Sequence, residues 1–395
     1  MADTMIYTHS KGISFILSVD VSYFRTPVNS MKNISFTLIC SLILACTLKV
    51  QAQQAVAPGQ WQLSGKFQEG FIIAHRPSVV HLQRKHVKGI EIDWLKQTNG
   101  DANWHHLYNF PVLGFGYQFF DLGNQEELGN AQSLIGVIHF PLLNKQRILL
   151  NVKFGIGVGY IDKPFNLTDN YKNQTVGSHV NAVITTGAQV RFRSKQYNQI
   201  STGIDLTHFS NGSSKIPNMG INIATVNIGY IHCFGEETPI KRDSVSGIKH
   251  QNEFTILAAM GAKELNPPGS ATYGVGIFTG DWHHGVTQKS KLGAGTDLFI
   301  DNSVSKRLAE DEIYVSGLEA SARWGVHLSY GLEVGKCSGY FQTGYYLYTK
   351  IKNDGNIYSQ LSLRYLVTKH VFACFNLKSH YAKADYFEYG IGYKI

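Results

Sequence analysis

The chain has 395 residues, of which only 16% are charged, and it combines 39 Gly, 21 Tyr and 22 Phe with 10 Pro, a mixture suited to strands with aromatic borders. Its formal charge of +8 comes without a dense Lys/Arg block interleaved with aromatics, which argues against nucleic acid and makes anionic lipid the better partner. No stretch reaches the roughly 18 apolar residues of a membrane-spanning helix, so membrane residence would require a closed barrel of alternating strands.

The one continuous apolar run lies near the N-terminus. It begins Met31, Lys32, Asn33, continues from Ile34 to Leu48, and ends Val50, Gln51, Ala52. That order is n-region, h-region and small-residue cleavage site, so residues 1–52 read as an upstream extension plus a secretory signal peptide, with the start at Met31 and cleavage near Ala52. Cys46 after Ala45 is a weaker lipoprotein reading, because Leu44 fits such a site poorly. Beyond the leader only Cys233, Cys337 and Cys374 remain, too few for a disulfide framework.

From about residue 110 onward the sequence alternates with a period of two. Ile148, Leu150, Val152, Phe154, Ile156, Val158 and Tyr160 share one face, against Asn151, Lys153, Gly155, Gly157 and Gly159 on the other. The last strand repeats this with Phe387, Tyr389, Ile391, Tyr393 and Ile395 against Glu388, Gly390, Gly392 and Lys394. Such segments fall near 67–74, 87–95, 111–121, 133–142, 148–160, 180–192, 199–209 and 221–234 in the first half. In the second half they fall near 253–261, 272–281, 292–300, 315–331, 332–339, 340–350, 358–368 and 371–395, the last holding two strands. Export and an aromatic terminal strand favour an all-β transmembrane antiparallel β-barrel over a soluble sandwich. A single barrel of roughly 14–16 strands is the expectation, and two tandem eight-stranded barrels are the alternative. Residues 53–235 and 252–395 then form the two halves, with the polar stretch 236–251 as linker or long turn.

Chemistry concentrates at the seventh segment, whose even face runs Ile200, Thr202, Ile204, Leu206, His208, Ser210. Residues two apart on a strand point the same way, so imidazole and hydroxyl stand side by side as base and nucleophile, on the face that would meet lipid. A short loop, Asn211 to Gly220, leads to Asn222, which enters the same face and offers a third polar group to orient the histidine.

His208, Phe209, Ser210, Asn211 followed by Pro217, Asn218, Met219, Gly220 resembles the active-site signature of the outer-membrane lipid A 3-O-deacylases, also described as acyloxyacyl hydrolases. The resemblance spans roughly residues 60–235, with the tight motif confined to 208–222. It implies an ester hydrolase of the Gram-negative outer membrane acting on lipid A of lipopolysaccharide, with no cofactor. It assigns His208 as base, Ser210 as nucleophile, Asn211 as the residue that supports the oxyanion and Asn218 as a second supporting amide; in the reaction read from these residues, amides of Asn211 or the Gly212 backbone receive the oxyanion. The family's acid is a Glu that falls on Asn222. An amide can hold a histidine tautomer but stabilises the imidazolium less than a carboxylate does.

The basic run His81, Arg84, Lys85, His86, Lys88 is ordinarily a solvated loop. With a periplasmic N-terminus it lies on the same outer side as the 211–220 loop, where Arg84, Lys85 and Lys88 would meet lipid A phosphates. The pairs His105/His106 and His283/His284 lack Cys/Asp partners at ligand spacing, so no metal is expected. A barrel without catalysis, as a channel or a structural protein that lost its acid, is the competing function. A surface receptor or adhesin is a third.

Overall fold

The computed structural model describes residues 60–195, 198–236, 240–241, 251–381 and 383–395. The leader, the Cys46 site and most of the 236–251 linker lie outside the described residues.

The first eight strands are β1 (Trp61–Ile72), β2 (Val87–Gln97), β3 (Val112–Asp121), β4 (Asn130–Asn144), β5 (Ile148–Ile161), β6 (Val180–Lys195), β7 (Asn198–Ser210) and β8 (Ile221–Phe234). They pair antiparallel in sequence order, and β8 closes on β1 through a register that sets Trp61 opposite Phe234 and Ile72 opposite Ile223. The second eight are β9 (Asn252–Glu264), β10 (Thr272–Gly285), β11 (Ser290–Asp301), β12 (Ala322–Val334), β13 (Cys337–Tyr348), β14 (Ile357–Leu366), β15 (Val371–His380) and β16 (Lys383–Lys394). They close on themselves by pairing β16 with β9. The all-β antiparallel expectation therefore holds, and of its two arrangements the chain adopts tandem eight-stranded barrels rather than one wide barrel. Periodicity fixes which residues share a face but not which strand closes the ring, so it could not separate the two.

The expected segments at 315–331, 332–339 and 340–350 merge into two strands, β12 and β13, joined by a tight turn at Gly335 with φ of 65°. Ahead of them come a helix, α2 (Asn302–Glu310), and a 3-10 turn at Leu318–Ala320; an earlier short helix, α1 (Asn103–Leu107), connects β2 to β3. Asp301 caps α2 by accepting from the Ser303 amide at 3.0 Å.

The polarity is inverted relative to a soluble protein. Large apolar side chains point outward, with Phe67 73% and Phe115 75% exposed, whereas Lys66, Glu91, Lys153, Arg191, Asp297, Arg323 and Lys378 are buried inside the rings. Water would expel that exterior, and hydrocarbon accepts it, which makes these membrane barrels. The eight-stranded lumens are filled by their own side chains. In the first barrel Glu91 takes Lys66 Nζ at 2.6 Å and Lys153 Nζ at 2.7 Å, with Gln68 and Gln118 amides at 2.8 and 2.9 Å. In the second, His327 bridges Asp297 at 2.7 Å and Asp281 at 3.0 Å, and Arg364 reaches Asp281 at 2.7 Å.

The two barrels touch near both rims. At the rim bearing α1, Tyr108 donates to the Glu333 carbonyl at 2.8 Å. At the opposite rim, called upper here, the β7–β8 loop meets the ends of β9 and β16: the Glu264 amide donates to the Ser213 carbonyl at 3.1 Å.

Candidate active site

β7 alternates between lumen and exterior until its upper end. Ser201, Asp205 and Thr207 turn inward and are buried, while Ile200 and Ile204 are exposed outside. His208 continues the outer face, and Ser210 follows it under cover of the 211–220 loop, 7% exposed. The β7–β8 register pairs His208 directly with Asn222, and β6–β7 pairs Ser210 with Ala182 and His208 with Ile184. Directly opposed residues bring their side chains together.

His208 Nδ1 lies 2.7 Å from Asn222 Oδ1. Because that oxygen can only accept, Nδ1 carries the proton and Nε2 is left as the basic nitrogen. The other end of the Asn222 amide lies 3.0 Å from His75 Nδ1, which accepts from Nδ2. His75 belongs to the chain leaving β1, where the Ile73 amide donates to the Asn222 carbonyl at 2.8 Å and so continues the β1–β8 ladder past its last pair. His75 was absent from the residues that the sequence nominates.

Ser210 Oγ sits among amide donors. The Gly212 amide donates to it at 3.2 Å and Asn218 Nδ2 at 2.9 Å, while the hydroxyl itself can donate to Asn218 Oδ1 at 3.2 Å. Asn211 is engaged elsewhere: its backbone amide donates to Asn218 Oδ1 at 3.1 Å and its side chain to Ser178 Oγ at 2.8 Å. Asn211 therefore braces the loop against the β5–β6 connection, and the donors that reach Ser210 are those of Gly212 and Asn218. Gly212 at φ 61° and Ser213 at φ 63° turn the chain through the left-handed region. Glycine meets that demand without strain, whereas Ser213 is held there by its contacts.

Arg84, Lys85 and Lys88 are exposed on the upper side, apart from the His208 cluster, with Lys88 on the outer face of β2. Arg84 contacts Glu126 and lies 2.7 Å from Glu127 Oε1, so its charge is already matched; its hydrogen bond holds the Glu126 carboxyl below the usual range. The contacts fall into two sets, His208 with Asn222 and His75, and Ser210 with Gly212 and Asn218, Asn211 bracing the second; among the described residues no hydrogen bond joins His208 to Ser210, and Arg84, Lys85 and Lys88 make none to either set. Among the described residues no cluster of three or more potential metal ligands occurs.

Closed antiparallel barrels with apolar outer faces define a membrane β-barrel protein, and the first carries His208, Ser210 and Asn222 at its upper rim. Residues 88–231 match the family model described as lipid A 3-O-deacylase (PagL), and residues 252–395 match that described as acyloxyacyl hydrolase, C-terminal domain. The chain belongs to the lipid A 3-O-deacylase family, as a lipid A deacylase of two barrels. No curated protein matches it. Among solved structures, a triple mutant of the Rhodopseudomonas blastica porin is 9% identical with a TM-score of 0.17, covering 85% of this chain and 99% of that chain. Another variant of the same porin is 10% identical at a TM-score of 0.18, with the same shares covered. Those scores are too low to carry an argument, and the architecture rests on strand pairing.

Proposed function

We propose that this protein is a serine esterase of the Gram-negative outer membrane that removes an ester-linked acyl chain from lipid A of lipopolysaccharide. One observation carries the reading: the His208–Asn222 bond leaves Nε2 as the base on the strand face that also bears Ser210, at the rim where lipid meets water. His208 Nε2 takes the Ser210 proton as Oγ bonds to the acyl carbonyl carbon. The oxyanion that forms faces the Gly212 and Asn218 donors. On collapse the sugar–oxygen bond to the acyl carbon breaks, and His208 returns the proton to the departing sugar hydroxyl. Water, deprotonated in turn by His208, then releases the fatty acid and restores Ser210.

The acyl chain would lie along Ala182, Ile184 and Leu206 on the outer face. Exchanging lipid for protein contact there gains little hydrophobic energy, so polar contacts must set which ester is cut. His75 serves as a positioning residue, fixing the Asn222 amide so that its oxygen faces His208. Lipid A from cells carrying the parent, Ser210→Ala or His208→Ala, compared by mass spectrometry, tests the reading. Loss of one acyl mass only with the parent supports it. Full deacylation by folded Ser210→Ala overturns it.

A further inference from the structure

The active-site loop is held by the second barrel as well as the first. Glu264, the last residue of β9, has a side chain only 1% exposed. Its Oε2 accepts the Ile216 amide at 2.8 Å, from the middle of the 211–220 loop, and its Oε1 accepts the Gly269 amide at 2.8 Å from the β9–β10 loop. Its own amide donates to the Ser213 carbonyl at 3.1 Å, and Lys215 Nζ lies 3.8 Å from Oε1. Two further contacts converge on the same turn. Ser213 Oγ donates to the Ala384 carbonyl at 3.0 Å, and Gly212 packs so closely on Phe387 that an added Cβ would stand 2.5 Å from Cδ2.

These contacts fall on the residues whose backbone decides where the Gly212 amide points. A non-glycine residue at the φ of Ser213 costs energy and persists only where its surroundings impose it. The second barrel supplies that constraint through the carbonyl and the hydroxyl of Ser213 together. A buried carboxylate that accepts two backbone amides, each from a different loop, is a strong and directional tie.

We propose that the C-terminal barrel is a positioning partner of the deacylase site, with Glu264 as the positioning residue that clamps the 211–220 loop and aims the Gly212 amide at Ser210. The proposal rests on the reading of Ser210 as nucleophile. A clamp of this kind acts on the oxyanion, which forms only during reaction, so its loss should lower kcat and leave KM in place.

The test uses the full chain folded in detergent, as parent, Glu264→Gln, Ser213→Ala and Ser210→Ala. Glutamine offers one acceptor where Glu264 uses two, and it turns an NH2 group toward an amide donor. Glu264→Gln should lower kcat about tenfold with KM within about twofold, a part of what losing an oxyanion donor costs. Amide hydrogen exchange across 212–216 should quicken, while heat-modifiable gel migration stays that of the parent. Ser213→Ala should change exchange and kcat in the same sense by a smaller factor, and it decides the matter if Glu264→Gln does not fold. Unchanged exchange in a folded clamp variant overturns the clamp whatever the chemistry. Faster exchange with unchanged kcat overturns its role in the reaction. Full activity in Ser210→Ala would instead remove the nucleophile, and the exchange measurement would still decide the clamp.

Discussion

Gly220 lies against the imidazole of His208: a Cβ added there would stand 2.5 Å from Cε1 and 3.3 Å from Nε2, at a backbone φ of 77°. The loop's last glycine therefore sets how far the ring can tilt toward the strand end, and its amide is tied to the Thr175 carbonyl at 2.8 Å. Gly220→Ala should displace the ring by a fraction of an ångström to an ångström and lower kcat by up to about 100-fold. Unchanged turnover in a folded Gly220→Ala protein would show that ring placement does not depend on this contact.

Where the candidate residues lie on their strands was legible because strand periodicity is a strong signal. His208 and Ser210 share a face by spacing alone, and the loop length brings Asn222 opposite His208. His75 was not legible for a topological reason. It touches Asn222 because β1 closes on β8, a neighbour relation that a single barrel of 14–16 strands does not have. The same choice hid Glu264, which meets the loop only because the second half forms its own ring beside the first. The contact made by the Asn211 side chain was not legible for a local reason: Ser178, which takes its amide, lies 33 residues away in a connection that spacing cannot position.

The upper loops of the second barrel carry a pH-dependent tie. Asp354, between β13 and β14, accepts from Arg307 at 2.9 Å through both oxygens and from Arg323 at 3.0 Å. Burial pushes its carboxyl up, but the Arg307 hydrogen bonds and the two guanidinium charges outweigh that and bring it down to about 2. A depressed folded value means stability that is present above the unfolded value near 3.9 and lost as pH falls toward 2. Asp354→Asn should lower stability by roughly 1–2 kcal/mol at neutral pH, the difference shrinking between about pH 4 and pH 2. Urea unfolding of both proteins across that range measures it, and a pH-independent difference would refute the assignment.

Phosphate recognition should fall on the lysines. Arg84 already faces Glu126 and Glu127, whereas Lys85 and Lys88 project from the upper side. Replacing Lys85 and Lys88 with Gln should raise KM for bisphosphorylated lipid A several-fold more than for a dephosphorylated analogue, and the difference should fade with salt. Arg84→Gln should discriminate less. Equal effects on both substrates would remove the basic run from substrate binding.

Asn222 stands between two imidazoles, and that position decides how a carboxylate would behave there. As an amide it gives its oxygen to His208 and its NH2 to His75. Asn222→Ala removes both bonds, so His208 loses its fixed tautomer and kcat should fall, though less than in Ser210→Ala because the nucleophile and its oxyanion donors remain. His75→Ala frees the amide to rotate and should produce a milder loss of the same kind, in kcat rather than KM. Asn222→Glu supplies the negative charge that stabilises the imidazolium in the transition state, and should match or exceed the parent rate. It can do so only if His75 turns a donor toward the new carboxylate, which the neutral ring does by carrying its proton on Nδ1. The gain should therefore shrink in Asn222→Glu combined with His75→Ala. Steady-state rates on lipid A from pH 5 to 8 for the parent and the five variants check this. If Asn222→Glu falls below Asn222→Ala at every pH, Asn222 does not hold the base of this site.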